Sequence, residues 1–279
     1  MKKIKKAKTL TSDRMFDIFN YTFLAILLVI VAYPLYYVLI ASISDPYEVY
    51  AGKTFLLPSK VIFEGYARVF KEKSIATGYI NSIYYTVLGT VVSVALIITT
   101  GYCVSKKTLP FRKSIMMFYV FTMYFNGGLI PTYLVVAKMG LLNSVWSLIL
   151  PGGVAVFNVI VCRTFFESSI PEDLYEAASI DGSSNLRTFF RIALPLSKPI
   201  LAVMVIFTMV AYWNDWFTAL IYMSEKSKYP LQLALRQILI QSQATATMMG
   251  NMDGGYAEAN KITELIKFSS IVVGAVPML

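Results

Sequence analysis

The chain has 279 residues, of which 57% are hydrophobic and only 15% are charged. Soluble globular proteins have roughly 25% charged residues, so this chain has too little charge to cover a water-facing surface of its size. A lipid bilayer as solvent resolves the imbalance. The composition therefore excludes a disordered chain and a nucleic-acid-binding globule, although the formal net charge is +9.

Residue types that many active sites require are missing. The chain has no histidine, which excludes histidine triads, histidine-based proton transfer and zinc motifs that contain His. Its two cysteines, Cys103 and Cys162, lie far apart in apolar stretches and form neither a CxxC motif nor a disulfide framework. We predict no metal site and no catalytic residue in this chain.

The chain begins with a predicted basic tail, residues 1–15, and continues as a transmembrane domain over residues 16–279. The first apolar run is longer than the roughly 7–15 residues of a signal-peptide core, so we predict a retained anchor. Lys and Arg are enriched in cytoplasmic loops. The basic tail and the basic loop 106–113 therefore place the N-terminus in the cytoplasm.

Six membrane spans are predicted, which makes the fold class all-α and polytopic. A helix needs roughly 20 apolar residues to cross the hydrocarbon core, and five runs meet that length. The sixth has only a short uncharged stretch, so we expect it to be truncated. The predicted spans are 18–44, 79–105, 114–137, 140–162, 199–223 and 262–279.

Two predicted spans contain helix-breaking residues. Gly127 and Gly128 precede Pro131 in the third span, and Pro151 begins a Pro-Gly-Gly sequence in the fourth. Glycines in membrane helices allow close packing of neighbouring helices, whereas a broken helix can line a transport path. Both explanations stay open on the sequence alone.

Asp215 is the only ionisable residue inside the first five predicted spans. Acidic residues in a bilayer usually face a cavity or a partner. Asp215 could be a paired or hydrated residue near the outer mouth. Alternatively, it could line a sugar path with Asn214 and Trp213, because amides, carboxylates and aromatic faces suit sugar hydroxyls and ring C–H groups.

The cytoplasmic loop 163–198 has the pattern of two short helices joined by a sharp turn. Ser168 or Ser169 can cap a first helix in which Pro171 takes the first position. Asp181-Gly182 predicts its end, because glycine tolerates a left-handed cap. Ser183 or Ser184 can cap a second helix, which Pro195 is expected to end. This helix has an apolar stripe at helical spacing, formed by Leu186, Phe189, Phe190, Ala193 and Leu194.

The loop also resembles a family signature. Glu176-Ala177-Ala178, Gly182 and the segment Ile192-Ala193-Leu194-Pro195 reproduce the spacing of the EAA motif of ABC importer permeases. The segment from Trp213 to Phe217 looks like the corresponding segment of carbohydrate-importer permeases. Asn126 to Tyr133 and Tyr229 to Gln232 look like the subgroup for oligosaccharides or polysaccharide fragments.

The resemblance implies a six-helix permease of the type I importer fold in the bacterial cytoplasmic membrane. It implies four partners besides the sugar and the bilayer: a second homologous permease, two ATPase subunits and an extracytoplasmic binding protein. The ATPases would use ATP and Mg²⁺, and this chain would bind no cofactor. By the same resemblance, the loop docks on the ATPase through Glu176, Ala177, Ala178, Asp181, Gly182, Ile192, Leu194 and Pro195.

Residues of a possible translocation pathway are Trp213, Asn214, Asp215, Asn126, Gly127 and Gly128. Gly52-Lys53-Thr54 ends like a phosphate-binding loop, but Tyr47 stands where that motif needs its first glycine. We therefore expect no ATP hydrolysis by this chain. The alternatives are an ABC permease for a non-sugar solute and an ion-coupled secondary transporter, and neither inverted repeats nor a proton relay is visible for the latter.

Overall fold

The computed structural model describes residues 11–58, 60–250 and 256–278, and side chains over 13–58, 60–244 and 263–277. Within those ranges the regular structure is helical, and the one β-bridge joins Ser44 and Val61. The helices are α1 Thr11–Ser42, α2 Pro46–Tyr50, α3 Glu64–Lys71, α4 Lys73–Ser105, α5 Arg112–Tyr124, α6 Leu129–Lys138, α7 Val145–Ile149, α8 Val156–Ser168, α9 Glu172–Ile180, α10 Asn185–Thr188, α11 Leu194–Leu196, α12 Lys198–Asn214, α13 Phe217–Tyr222, α14 Leu231–Gly250 and α15 Tyr256–Ala275.

The chain forms two compact units. The first contains the residues up to Lys71 together with Ile238–Pro277, and the second contains Glu72–Gln237. In the first unit, α15 packs against α1, α2 and α3. Gly65 of α3 lies so close to α15 that an added Cβ would be 2.7 Å from the Leu265 carbonyl oxygen, so only a glycine permits this approach.

The second unit is built on α4, which packs against α8 and α12. Its core includes Ile97, Val159, Cys162 and Met204, all fully buried. Gly101 of α4 faces Cys162 of α8 at a distance that leaves no room for a side chain. Both candidate sites described below lie in this unit.

Two helices in the described residues are long and apolar enough to cross a membrane, Asp13–Ser42 and Lys73–Ser105. They begin before the predicted spans at 18–44 and 79–105. The third predicted span is instead a bent pair, α5 and α6, with an angle of 113° between them. The basic loop 106–113 precedes α5, as the sequence indicates.

The interruption of the third span is a helix break. Gly128 has φ +89°, a conformation that favours glycine, and its N–H donates to the Asn126 side chain at 2.8 Å. No atom lies within 4 Å of a Cβ added at Gly128, and Gly127 would meet only Pro131. Within this chain the two glycines therefore serve a turn and not close helix packing.

The fourth and fifth predicted spans are also divided. Between α7 and α8 the chain runs through Pro151 and Gly152 without regular helix, so the continuous span 140–162 is corrected to two helices, the second reaching Ser168. Proline removes a backbone donor that a helix needs. The span 199–223 divides at Asp215, whose carboxylate accepts a hydrogen bond from the Thr218 N–H at 3.0 Å in the first turn of α13.

Two further differences concern the last part of the chain. The sequence predicts a loop between the fifth and sixth spans, but α14 lies there, with Leu231, Leu233 and Ala234 buried at its start. The last helix, α15, begins at Tyr256, ahead of the predicted start at 262. The sequence before residue 262 contains Glu258 and Lys261, and a search for uncharged runs stops at such residues.

Candidate functional site

The first candidate site is the elbow, which we define as residues 169–197 between α8 and α12. Helix α9 begins at Glu172, with Pro171 as its N-cap and no side-chain cap, so the predicted caps at Ser168 and Ser169 are wrong. Proline is well suited to a helix start because its N–H is not needed there. Ser184 caps α10 by accepting a hydrogen bond from the Arg187 N–H at 3.4 Å.

The turn between the two helices is a left-handed cap at Gly182, which has φ +72°. The Gly182 N–H donates to the Ser179 carbonyl at 3.0 Å, and the Ser183 N–H donates to the Ala178 carbonyl at 2.9 Å. This pair of hydrogen bonds is the Schellman motif, which satisfies the last carbonyls of α9. The turn forms as the Asp181-Gly182 sequence indicates.

The second helix of the elbow continues past the proline that was expected to end it. A π-helical segment, Phe189–Ala193, follows α10, and the helix runs through Pro195 to Leu196 before an 81° bend to α12. Pro195 cannot donate to the carbonyl one turn earlier and its ring crowds that carbonyl. The wider π turn removes this conflict, which explains why the helix survives.

Aromatic packing fixes the elbow to the rest of the second unit. The Tyr102 ring lies 4.9 Å from Phe189, 5.5 Å from Phe166 and 6.2 Å from Tyr175, measured between centroids. Phe166 and Phe189 are almost completely buried. Three elements, α4, α8 and the elbow, therefore share one aromatic cluster.

The basic loop contributes a second set of contacts to the elbow. Lys106 lies over the rings of Tyr102 and Tyr175, and Lys107 forms an ion pair with Glu172. Burial lowers the pKa of Lys106 to about 8, while the nearby Glu172 acts in the opposite direction. Burial raises the pKa of Tyr175 to about 12, so its phenol stays neutral at physiological pH.

Glu167 anchors the base of the elbow. Its carboxylate pairs with Arg112 from the basic loop and accepts a hydrogen bond from Arg163 Nε at 3.0 Å. Arg112 also donates through Nε to the Val104 carbonyl at 2.8 Å, at the end of α4. The cationic loop, which the sequence identified through its charge, thus also holds the elbow in place.

The outer surface of the elbow has exposed apolar residues among charges of both signs, because Arg187 and Arg191 are exposed as well as acidic residues. Ile180 is 85% exposed, Leu186 is 72% exposed and Phe190 is 60% exposed. Glu176 and Asp181 are exposed beside them and form no ion pair within the described residues. Of the other predicted docking residues, Ala177, Gly182 and Pro195 are exposed, Ile192 and Leu194 are half-buried, and Ala178 is buried.

The sequence missed the three apolar residues of this surface. It placed Leu186 and Phe190 on the same stripe as Phe189 and Ala193, but Phe189 and Ala193 are buried while Leu186 and Phe190 are exposed. The π segment rotates the residues around it relative to an α-helix, so α-helical spacing assigns the wrong faces. The only signal in the sequence was the proline after the stripe, which is incompatible with regular α-helical hydrogen bonding.

The second candidate site is a cavity of about 540 Å³ in the second unit. Its walls come from α4, α6, α7, the α7–α8 break, α8, α12 and α13. The polar residues that line it are Ser93, Asn158, Thr208, Tyr212, Asn214, Asp215 and Thr218. Aromatic side chains, including Phe207 and Phe217, complete the lining.

The cavity includes some of the predicted pathway residues and not others. Asn214 and Asp215 line it, and Leu129, directly after the Asn126-Gly127-Gly128 break, also does. Trp213 does not: it is 6% exposed, and its ring lies 6.3 Å from that of Tyr79. Asn158 and Tyr212 were not singled out, because an uncharged polar residue in an apolar run has no distinctive pattern.

Comparison with known proteins identifies the family. Residues 97–278 match the model of the binding-protein-dependent transport system inner membrane component. The chain belongs to this family. It is therefore a permease subunit of a transport system, which agrees with the EAA signature in the elbow and with the helical fold.

Two curated relatives come from Bacillus subtilis strain 168. The polygalacturonan/rhamnogalacturonan transport system permease protein YtcP is 39% identical, over 96% of this chain and 92% of the relative. Protein LplC is 37% identical, over 96% of this chain and 89% of the relative.

A solved structure has the same fold. It is the crystal structure of a bacterial ABC transporter involved in the import of the acidic polysaccharide alginate, and one of its chains is 32% identical to this one. The match has a TM-score of 0.81 and covers 98% of both chains. The chain therefore has the fold of an ABC importer permease, as the sequence predicts.

Proposed function

We propose that this permease subunit carries a carbohydrate, an oligosaccharide or polysaccharide fragment, into the cytoplasm at the expense of ATP hydrolysed by a separate subunit. The similar protein YtcP belongs to a polygalacturonan/rhamnogalacturonan transport system and the similar solved structure to an alginate importer, and both support this substrate class. The cavity supports it independently, because its hydroxyl, amide and aromatic lining suits sugar hydroxyls and ring C–H groups.

The observation that carries the coupling is the exposed surface of the elbow. A rigid turn presents Ile180, Leu186 and Phe190 to the solvent, next to the acidic Glu176 and Asp181. Exposed apolar residues in a cluster indicate a protein contact. The elbow docks on the ATPase, and movement of that subunit is transmitted through the aromatic cluster to α4, α8 and α12.

The complete importer has a second homologous permease, two ATPase subunits that use ATP and Mg²⁺, and an extracytoplasmic binding protein. The N-terminus and the elbow face the cytoplasm. Asn214 and Asp215 line the translocation path, and the break at Asn126, Gly127 and Gly128 shapes one of its walls. Trp213 does not line this path and instead packs against Tyr79 of α4.

Reconstitution of the importer in proteoliposomes tests the proposal. We expect uptake of a labelled oligosaccharide only with ATP inside and with all subunits present, and no ATPase activity of the purified chain alone. Uptake driven by an ion gradient without ATP would support a secondary transporter instead. ATP-dependent uptake of a small non-sugar solute that oligosaccharides do not inhibit would support the other alternative.

A further inference from the structure

Asn158 is a mostly buried residue whose amide opens onto the cavity and has no hydrogen-bond partner among the described residues. Asn158 lies in the first turn of α8, is 8% exposed and lines the cavity. Its side chain makes no hydrogen bond with the part of the chain that the structure describes. Buried amides in proteins are nearly always hydrogen-bonded, so this one requires a partner from the cavity itself.

Other polar groups of the cavity are partly satisfied and leave acceptors open. The Asn214 amide donates to the Val210 carbonyl at 3.0 Å, which leaves its oxygen available. One oxygen of Asp215 accepts from the Thr218 N–H, and the other is available. Tyr212 and Ser93 pair at 2.8 Å. Sugar hydroxyls are donors and therefore match these open oxygens.

The charge of the cavity has one sign. Asp215 lines it and forms no ion pair with any described residue, and no Lys or Arg is among the lining residues. Arg236, near the same end of the unit, lies over the Trp216 ring at 3.5 Å instead of facing the cavity. A carboxylate ligand is best held by a cation, and the lining residues offer it none while placing the carboxylate of Asp215 beside it.

We infer that the cavity is a subsite for a neutral, hydroxyl-bearing sugar unit, held by Asn158 and Asn214, and that Asp215 excludes uronate units from it. This inference rests on the proposed function, and it narrows the substrate class. It differs from the substrates of two similar transport systems, since polygalacturonan and alginate are acidic polymers. A neutral sugar unit can form hydrogen bonds with the open polar groups of the cavity, whereas a uronate unit would place its carboxylate next to that of Asp215.

The test is ligand-observed saturation-transfer NMR on the purified complex of both permeases and the ATPase, without the binding protein. Omitting the binding protein removes its own selection from the result. The probes are a neutral galactotriose and trigalacturonate. We expect saturation transfer to galactotriose. The signals for trigalacturonate should be weaker by roughly tenfold, because its carboxylates are repelled by Asp215.

Three variants assign the effect to residues. Asn158→Leu should abolish the galactotriose signal. Asn158→Ala should weaken this signal, and it replaces the Leu variant if leucine prevents assembly of the complex. Phe157→Leu is the matched control, since Phe157 is the neighbouring residue, is 60% exposed and does not line the cavity. Asp215→Asn keeps a cap oxygen for Thr218 and should raise the trigalacturonate signal to the level of galactotriose.

Two results would overturn the inference. One is binding of trigalacturonate to the wild-type complex at least as strong as that of galactotriose and unchanged by Asp215→Asn. The other is a galactotriose signal that survives both Asn158 variants. Failure of the proposed function is distinct, because it would appear as absence of ATP-dependent uptake of every carbohydrate in proteoliposomes.

Discussion

At the scale of single residues, Gly182 shows how backbone geometry alone can be decisive. Its φ of +72° lies in the left-handed region, yet no atom lies within 4 Å of a Cβ added there. A substitution is therefore resisted by the backbone conformation and not by crowding. For residues other than Gly, Asn and Asp, this conformation costs roughly 1–2 kcal/mol, and more with a β-branched side chain.

This leads to a prediction with a matched pair of substitutions. Gly182→Asn should transport within about twofold of the wild type, because asparagine tolerates the left-handed conformation. Gly182→Val should lose roughly tenfold or more in uptake, because a strain above about 1.4 kcal/mol shifts the turn away from its docking geometry. Both variants should insert normally. Uptake in proteoliposomes and co-purification of the ATPase measure the difference, and equal uptake by both variants would show that the turn does not transmit motion.

At the scale of elements, the elbow separates its packing face from its outer face between two consecutive phenylalanines. Phe189 is 6% exposed and its ring lies 4.9 Å from that of Tyr102, whereas Phe190 is 60% exposed. The π segment that contains both residues creates this division. Neighbouring positions of the same residue type therefore have different roles.

The two phenylalanines give a second matched prediction. Phe189→Ala removes a buried ring and should lower the free energy of unfolding by roughly 3–5 kcal/mol, seen as a lower melting temperature and yield. Phe190→Ala should change stability by about 0.5 kcal/mol at most, because it is exposed, but it should weaken binding of the ATPase. Thermal unfolding and pull-down of the ATPase provide the two readouts. Undiminished ATPase binding by Phe190→Ala would place the docking surface elsewhere.

Some element boundaries were predictable from the sequence by short-range chemical rules, although the same kind of rule failed at the Ser168 and Ser169 caps and at Pro195. The caps at Ser184 and Gly182 follow from local hydrogen bonding, and the turn at Asp181-Gly182 forms as expected. The sequence did not decide whether the predicted spans are broken. Hydropathy measures how apolar a run of residues is and carries no information about a change in direction of the helix axis. The 113° bend between α5 and α6 depends on the turn at Gly128, which the sequence could also have used for packing.

One of the two candidate sites was also predictable from the sequence, and the other was not. The EAA signature located the elbow, since its residues are contiguous in sequence. The cavity joins residues that are far apart in the sequence, so only the fold brings Ser93, Asn158 and Asp215 together. Asn158 becomes notable only when its burial and its lack of a hydrogen-bond partner are known.

At the scale of the whole molecule, the distribution of basic residues predicts which end of the second unit faces the cytoplasm. Lys106, Lys107 and Arg112 contact residues of α8 and the elbow, so the basic loop and the elbow lie at one end of the unit. Asn143 and Ser224 are joined by hydrogen bonds between the α6–α7 connection and the segment after α13. The positive-inside rule assigns the first end to the cytoplasm, and the elbow must be there to reach an ATPase.

Cysteine labelling in intact cells tests this orientation. Single cysteines at Lys113 and Asn185, both exposed, should resist a membrane-impermeant maleimide, while one at Ser227, also exposed, should react. The background needs Cys103→Ser, because Cys103 is exposed, and Cys162→Ala, because the buried Cys162 faces Gly101 and tolerates no larger residue. All positions should react after permeabilisation, which shows that each thiol is accessible. Labelling of Lys113→Cys from outside, with Ser227→Cys protected, would invert the unit in the membrane and would remove the elbow from any ATP-hydrolysing partner in the cytoplasm.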